Sequence, residues 1–212
     1  YRKRRNHRHV TSLLHRIRTV ENGVLVTPTM SFDERGHRPN EMTYFVCGYD
    51  QTGEAPEDFY PTVQDFIGEG GNFERPKAVV KNLAGVPAGS AYAGCEAVGG
   101  LHFKERTLAP GETAGYTIMI GAVRKTEHAG ETILSMTAAY RKAAQTKAAY
   151  ERMKTYWEQK VNVSYHTKDR RFDRYMQWVS FQPILRRIYG CSFLPHHDYG
   201  KGGRGWRDLW QD

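Results

Sequence analysis

The residues best equipped for chemistry lie in one run, Tyr199-Gly200-Lys201-Gly202-Gly203-Arg204-Gly205-Trp206-Arg207-Asp208-Leu209-Trp210-Gln211-Asp212. A glycine-rich stretch leads into a cluster of Arg, Asp, Gln and Trp. Gly202, Gly203 and Gly205 accept backbone conformations closed to other residues. Arg207, Asp208, Gln211 and Asp212 make directional hydrogen bonds, charge-assisted where an ion takes part. Trp206 and Trp210 supply flat apolar faces. A sugar ring asks for both, since its hydroxyls match planar polar groups and its C–H faces match aromatic rings. The same residues also fit a structural loop, with an Arg207–Asp208 or Arg207–Asp212 ion pair and two core tryptophans. Residue types alone leave both readings open.

Other chemistry is poorly supported. His196-His197-Asp198 invites a metal reading. Adjacent histidines in an extended segment point apart, however, and a tetrahedral zinc set is not assembled there. Cys47, Cys95 and Cys191 are odd in number, widely spaced and without a metal-ligand pattern, so free thiols in a reducing cytoplasm are expected. No nucleophile motif accompanies the histidines.

Gly203-Arg204-Gly205-Trp206-Arg207-Asp208-Leu209-Trp210-Gln211-Asp212 resembles the G-x-G-(aromatic)-R-D-(S/T)-x-Q-D signature of the cellobiose phosphorylase family of inverting glycoside phosphorylases. It looks closest to the large members that act on β-1,2-oligoglucans. The resemblance implies reversible phosphorolysis of a β-glucoside, releasing α-glucose 1-phosphate with inversion. Inorganic phosphate is then the nucleophile and co-substrate, in place of the base-activated water of an inverting hydrolase. No other cofactor and no metal are implied. Asp208 matches the Asp that accepts hydrogen bonds from glucose hydroxyls in the −1 subsite. Arg207, Gln211, Asp212 and Trp206 would shape or contact that subsite, while Trp206 and Trp210 are each open to stacking or packing. The family's general acid and phosphate-binding residues lie well downstream of the motif, so no catalytic residue is expected in this chain. Cellobiose-type members carry an Arg six residues before the Asp, where this chain has Gly202. That departure points to the β-1,2-glucan relatives. The family also implies a homodimer.

Several elements must position the cluster. Between Val24 and Ile120, short β-rich runs alternate with Gly/Pro turns: Val24–Thr27, Met42–Cys47, Ala91–Ala93 and Gly115–Ile120. Such a pattern predicts an antiparallel sandwich. Leu108-Ala109-Pro110-Gly111-Glu112 reads as a turn feeding the last of these strands. Gln64–Pro76 mixes aromatics, charges and glycines. It is a strand connector by composition, and by resemblance a loop reaching toward a sugar site, even one on a second subunit. In residues 1–20, Val10, Leu13, Leu14 and Ile17 have helical spacing. One long helix is predicted from Glu131 to about Lys160, with Ile133, Met136, Tyr140, Tyr150, Met153 and Trp157 as its packing face. A second, capped by Thr167 or Asp169, runs to about Tyr189, with Pro183 inside it and Gly190 as its stop. The expected layout is part of a β-sandwich over 1–125, a helical linker over 126–165, and 166–212 as the next domain. By resemblance that last segment begins an (α/α)6 barrel. Tyr1 opens the chain and the motif closes it, as expected of an internal piece of a longer protein.

Charge narrows the classes further. Lys and Arg number 31 against 23 Asp and Glu, giving a net charge of +8. The excess gathers before Glu21, at Arg2, Lys3, Arg4, Arg5, Arg8, Arg16 and Arg18. Nucleic-acid binding would want aromatic platforms among these residues, and Tyr1 alone is near. A solvated basic edge, or a surface covered by other parts of the protein, is expected instead. No apolar run is long enough to suggest a membrane partner. Three further readings remain: a non-catalytic carbohydrate-binding module, a basic nucleic-acid-binding protein using residues 2–18, and the phosphorylase-like region of a cyclic β-1,2-glucan synthase.

Overall fold

From His15 onward the chain alternates. Ile17 and Thr19 are buried while Arg16 and Arg18 are exposed, a two-residue period that specifies a strand. In the computed structural model, which describes residues 10–33, 36–161 and 163–189, this is β1 (His15–Val20). The helical spacing of Val10, Leu13, Leu14 and Ile17 is therefore corrected: only residues 10–12 turn helically. Antiparallel pairing with β2 (Gly23–Pro28) overrides the local pattern, because it places Ile17 beside Val26 and in the core.

Next come β3 (Met30–Asp33), β4 (Gly36–Pro39), β5 (Met42–Asp50) and β6 (Asp58–Thr62). The short helices α1 (Val63–Ile67) and α2 (Lys77–Val80) follow, then β7 (Ala91–Ala93), β8 (Ala97–His102) and β9 (Tyr116–Arg124). One sheet has the order β7-β1-β2-β5-β9, every pair antiparallel. β3 pairs with β4, and β6 with β8. The predicted strands at Val24, Met42, Ala91 and Gly115 all lie in the five-stranded sheet. The turn at Ala109–Glu112 is closed by the Glu112 amide donating to Ala109 and the Ala109 amide donating to the Glu112 carboxylate.

Both faces of this sheet are covered at its centre. On one, Ile17 and Val24 pack with Phe59 of β6 and Leu101 of β8. On the other, Leu25, Phe45 and Cys47 pack with Ile133 of α3 (Ala129–Ala138). Adjacent residues of β2 thus serve opposite cores, which explains its unbroken apolar run. Each such side chain contributes about 1.5–3 kcal/mol on burial. The β6–β8 layer stops short of β9, where Ile120 is 81% exposed.

The single helix expected from Glu131 to Lys160 is two helices. α3 ends at Ala138 and α4 spans Ala143–Lys160. Local hydrogen bonds make the break. The Thr137 hydroxyl donates back to Ile133, the Arg141 amide turns onto Ala138, and the Lys142 amide donates to the Gln145 side chain. Arg141 is also held by the Gly53 carbonyl and lies over the Tyr49 ring, 5.5 Å from its centroid. Of the predicted packing face Ile133 is buried and Trp157 partly so, whereas Met136, Tyr140, Tyr150 and Met153 are exposed.

Two compact units divide the chain, Tyr1–Ala149 and Tyr150–Asp212. In the second, α5 (Arg170–Tyr189) starts where expected. The Asp169 carboxylate accepts from the Arg171 and Phe172 amides, and Pro183 lies inside the helix. Trp157 meets Phe181 edge-on, with ring centroids 4.8 Å apart.

Two buried polar groups knit the first unit. Asn22 donates to the Tyr49 hydroxyl at 2.8 Å and to Thr137 at 2.9 Å, joining the β1–β2 turn to β5 and α3. Asp50 accepts from the Thr52 amide and hydroxyl and from the Glu54 amide, and it pairs with Arg106. Burial alone would raise its carboxyl pKa. The hydrogen bonds from Thr52 and Glu54 and the Arg106 charge outweigh that and hold it below the usual value.

Candidate functional site

Asp208, Arg207, Gln211, Asp212 and Trp206, the residues predicted for sugar recognition, lie outside the described residues, as do Trp210, His196, His197, Asp198, Gly190 and Cys191. The predicted region that can be placed is Gln64–Pro76.

Its construction begins in β6. Thr62 ends that strand and caps α1: its hydroxyl accepts from the Asp65 amide at 3.1 Å and donates to the Asp65 carboxylate at 2.7 Å. Gly68 ends α1 with φ +69, a left-handed conformation that favours glycine, and a Cβ there would also meet Lys77 at 2.9 Å. The loop is then tied down twice. The Lys77 ammonium donates to the Glu69 carbonyl, and the Arg75 amide donates to the Asn72 side chain at 2.8 Å. Asn72, Phe73, Glu74 and Arg75 are left exposed at the tip, Phe73 by 55%.

An aromatic series backs the tip. Phe73 and Phe66 have ring centroids 6.4 Å apart, Phe66 and Tyr60 6.0 Å, and Tyr60 and His102 5.8 Å. At its base the His102 Nδ1 lies 2.7 Å from the Asp58 carboxylate. The Tyr60 hydroxyl donates to the Leu83 carbonyl; burial and the Asp58 charge raise its pKa, so it stays protonated. The tip therefore carries a held backbone, one exposed aromatic face, an amide, a carboxylate and a guanidinium. Those groups suit hydroxyl-rich ligands.

Sequence reasoning missed Asp58 and His102. Forty-four positions separate them, and the β6–β8 register alone makes them partners. Also missed was a groove of about 510 Å³ on the five-stranded sheet, lined by Arg16, Arg18, Lys125 and the start of α3 among others. The alternation of Arg16 and Arg18 with Ile17 and Thr19 could have revealed it.

Among the described residues no three His, Cys, Asp or Glu side chains gather to hold a metal ion. Cys47 and Cys95 are free thiols; Cys47 lies in the core, where burial raises its pKa to about 12. No helix among the described residues is long and apolar enough to cross a membrane. No curated protein matches the chain. Residues 3–143 match the family described as glycosyl hydrolase 94, supersandwich domain.

Proposed function

Because the chain belongs to the glycosyl hydrolase 94 family, we propose that it is part of an inverting glycoside phosphorylase acting on β-1,2-oligoglucans, with phosphate as co-substrate and α-glucose 1-phosphate as product. The observation that carries this reading is the pairing of the family match over residues 3–143 with the Gly203–Asp212 motif downstream of it. The antiparallel sheets support residues 1–125 as a β-sandwich portion. Residues 126–165 act as a helical linker, and 166–212 open an (α/α)6 barrel whose sugar-binding end carries the motif. Asp208 accepts glucose hydroxyls in the −1 subsite, with Arg207, Gln211, Asp212 and Trp206 around it. The general acid and the phosphate pocket come from residues outside this chain. The exposed tip at Asn72–Arg75 supports a role for that loop at a sugar site of a partner in a homodimer. The enzyme works in the cytoplasm, where its free thiols stay reduced.

In an inverting phosphorolysis, phosphate attacks the anomeric carbon as the acid protonates the leaving oxygen. Asp208 would fix the ring so that this carbon faces phosphate. Orientation of that kind is a large share of the barrier reduction. The test is α-glucose 1-phosphate release from β-1,2-glucooligosaccharides and from cellobiose, in the full-length protein and in Asp208→Asn. Phosphate-dependent release from the former, lost by about a hundredfold or more in the variant, is expected. Sugar binding with no phosphate-dependent turnover would instead identify a carbohydrate-binding module. Cyclic glucan formation would identify a synthase.

A further inference from the structure

We propose that the groove on the five-stranded sheet is a further phosphate-binding site, separate from the phosphate pocket of the proposed reaction, taking the phosphate group free or as a sugar phosphate monoester. Strand register builds it. Arg16 and Arg18 project from the same face of β1, about 6.6 Å apart along the strand. Their partners across β7 are Ala93 and Ala91, so the edge strand leaves open the space a larger side chain would fill. On the other side Thr27 and Thr43 form the floor, their hydroxyl oxygens 2.9 Å apart. One hydroxyl of this pair donates to the other, so one proton is left to donate into the groove. Lys125 and the first residue of α3 complete the wall.

The charges favour an anion. None of Arg16, Arg18 and Lys125 has a carboxylate within ion-pair distance among the described residues. Arg18 also stands at the start of α3: a Cβ on Gly130 would lie 2.9 Å from its Nη2. That end of a helix carries partial positive charge, and α3 has no side-chain cap there, the Ala129 amide being taken by the Thr126 carbonyl. A guanidinium placed there is mismatched until an anion sits between them. Arg16 is already oriented, its Nη1 donating to the Leu13 and His15 carbonyls at 3.2 and 2.9 Å, which leaves its other edge for a bidentate contact. Three cations suit a phosphate dianion better than a monocarboxylate. The volume falls in the small-ligand range of about 300–1,000 Å³, rather than being that of an extended track for a polymer. Glu127, the one carboxylate among the described lining residues, is placed to accept sugar hydroxyls.

The 212-residue chain should be titrated with inorganic phosphate and with a hexose 6-phosphate, following amide shifts. Saturable shifts are expected at Arg16, Arg18, Thr27, Thr43 and Gly130. Arg16→Gln with Arg18→Gln should weaken binding about tenfold or more. Ala93→Leu should do the same with every charge intact, and its exposed edge position makes it tolerable to the fold. Lys81→Gln with Lys104→Gln, which removes equal charge elsewhere on the surface, should change nothing. Shifts that do not saturate, or equal weakening in that control pair, would overturn the proposal. Tighter binding of the hexose phosphate, lost in Glu127→Gln, would assign a sugar monoester; equal binding would assign free phosphate.

Discussion

Asp50 shows how much one side chain can hold. It accepts from three donors in the turn after β5 and pairs with Arg106 from the segment between β8 and β9. Asp50→Asn keeps the shape, removes the charge and leaves Arg106 without its partner. A loss of about 2–3 kcal/mol in urea unfolding is expected. The pH dependence follows from the lowered pKa. The unfolded chain binds this proton near pH about 3.9, and the folded chain binds it lower. The contribution is therefore complete above the unfolded value and disappears as pH falls through the folded one. Wild type and Asp50→Asn should converge in stability at acid pH. Cys47 makes a second prediction. With its pKa raised to about 12 and its side chain buried, it should resist alkylation at neutral pH until the protein unfolds, whereas Cys95, only partly buried, reacts first. Nothing local in the sequence reveals these partnerships. Asp50 stood within a turn signal, Asp50-Gln51-Thr52-Gly53, but nothing local names Arg106 as its partner.

The elements differ in how legible the sequence makes them. Ala91–Ala93 and the start of the strand at Met42 are legible because turn residues bracket short β-rich runs. β1 was misread because four apolar residues at helical spacing overlap the first half of its two-residue period; pairing with β2 decided the matter. β6 and β8 give no strand signal, since Asp58-Phe59-Tyr60-Pro61-Thr62 carries a proline and Ala97–His102 carries two glycines. α3 and α4 read as one helix because the breaking signals are side-chain hydrogen bonds, not Gly or Pro. Ile133, fully buried against Leu25, Phe45 and Cys47, fixes α3 to the sheet. Ile133→Ala should cost about 2–5 kcal/mol in denaturant unfolding, by lost transfer energy and the cavity left behind. The Asn72–Arg75 loop should behave in the opposite way. Phe73→Ala should alter stability by less than about 0.5 kcal/mol. It should weaken oligosaccharide affinity in the full-length protein by about tenfold, from the lost apolar contact.

At the scale of the molecule, the antiparallel sandwich is legible in turn spacing, whereas the Gly203–Asp212 motif lies outside the described residues and its role rests on the proposal above. The groove was not legible as a site, because it needs residues from β1, β2, β5, β7 and the start of α3 to meet. An open flank is the other property of the whole. β9 is an edge strand, and on one face Tyr116, Ile118 and Ile120 are exposed beside Tyr44. Exposed apolar edges invite strand-to-strand association. Ile120→Lys should leave stability within about 0.5 kcal/mol of wild type. It should also raise the concentration at which the chain stays monodisperse in light scattering. The pairing of β5 with β9 carries a consequence for synthesis. Asp50 must wait for Tyr116. As the nascent chain emerges, the β1–β2 hairpin can close at once, but β5 has nothing on its second side until residues 51–115 have followed. At roughly 5–20 residues per second, that leaves β5 with one edge open for several seconds. Ribosome-bound chains arrested before Tyr116 should therefore recruit chaperones, and chains arrested well beyond Arg124 should release them.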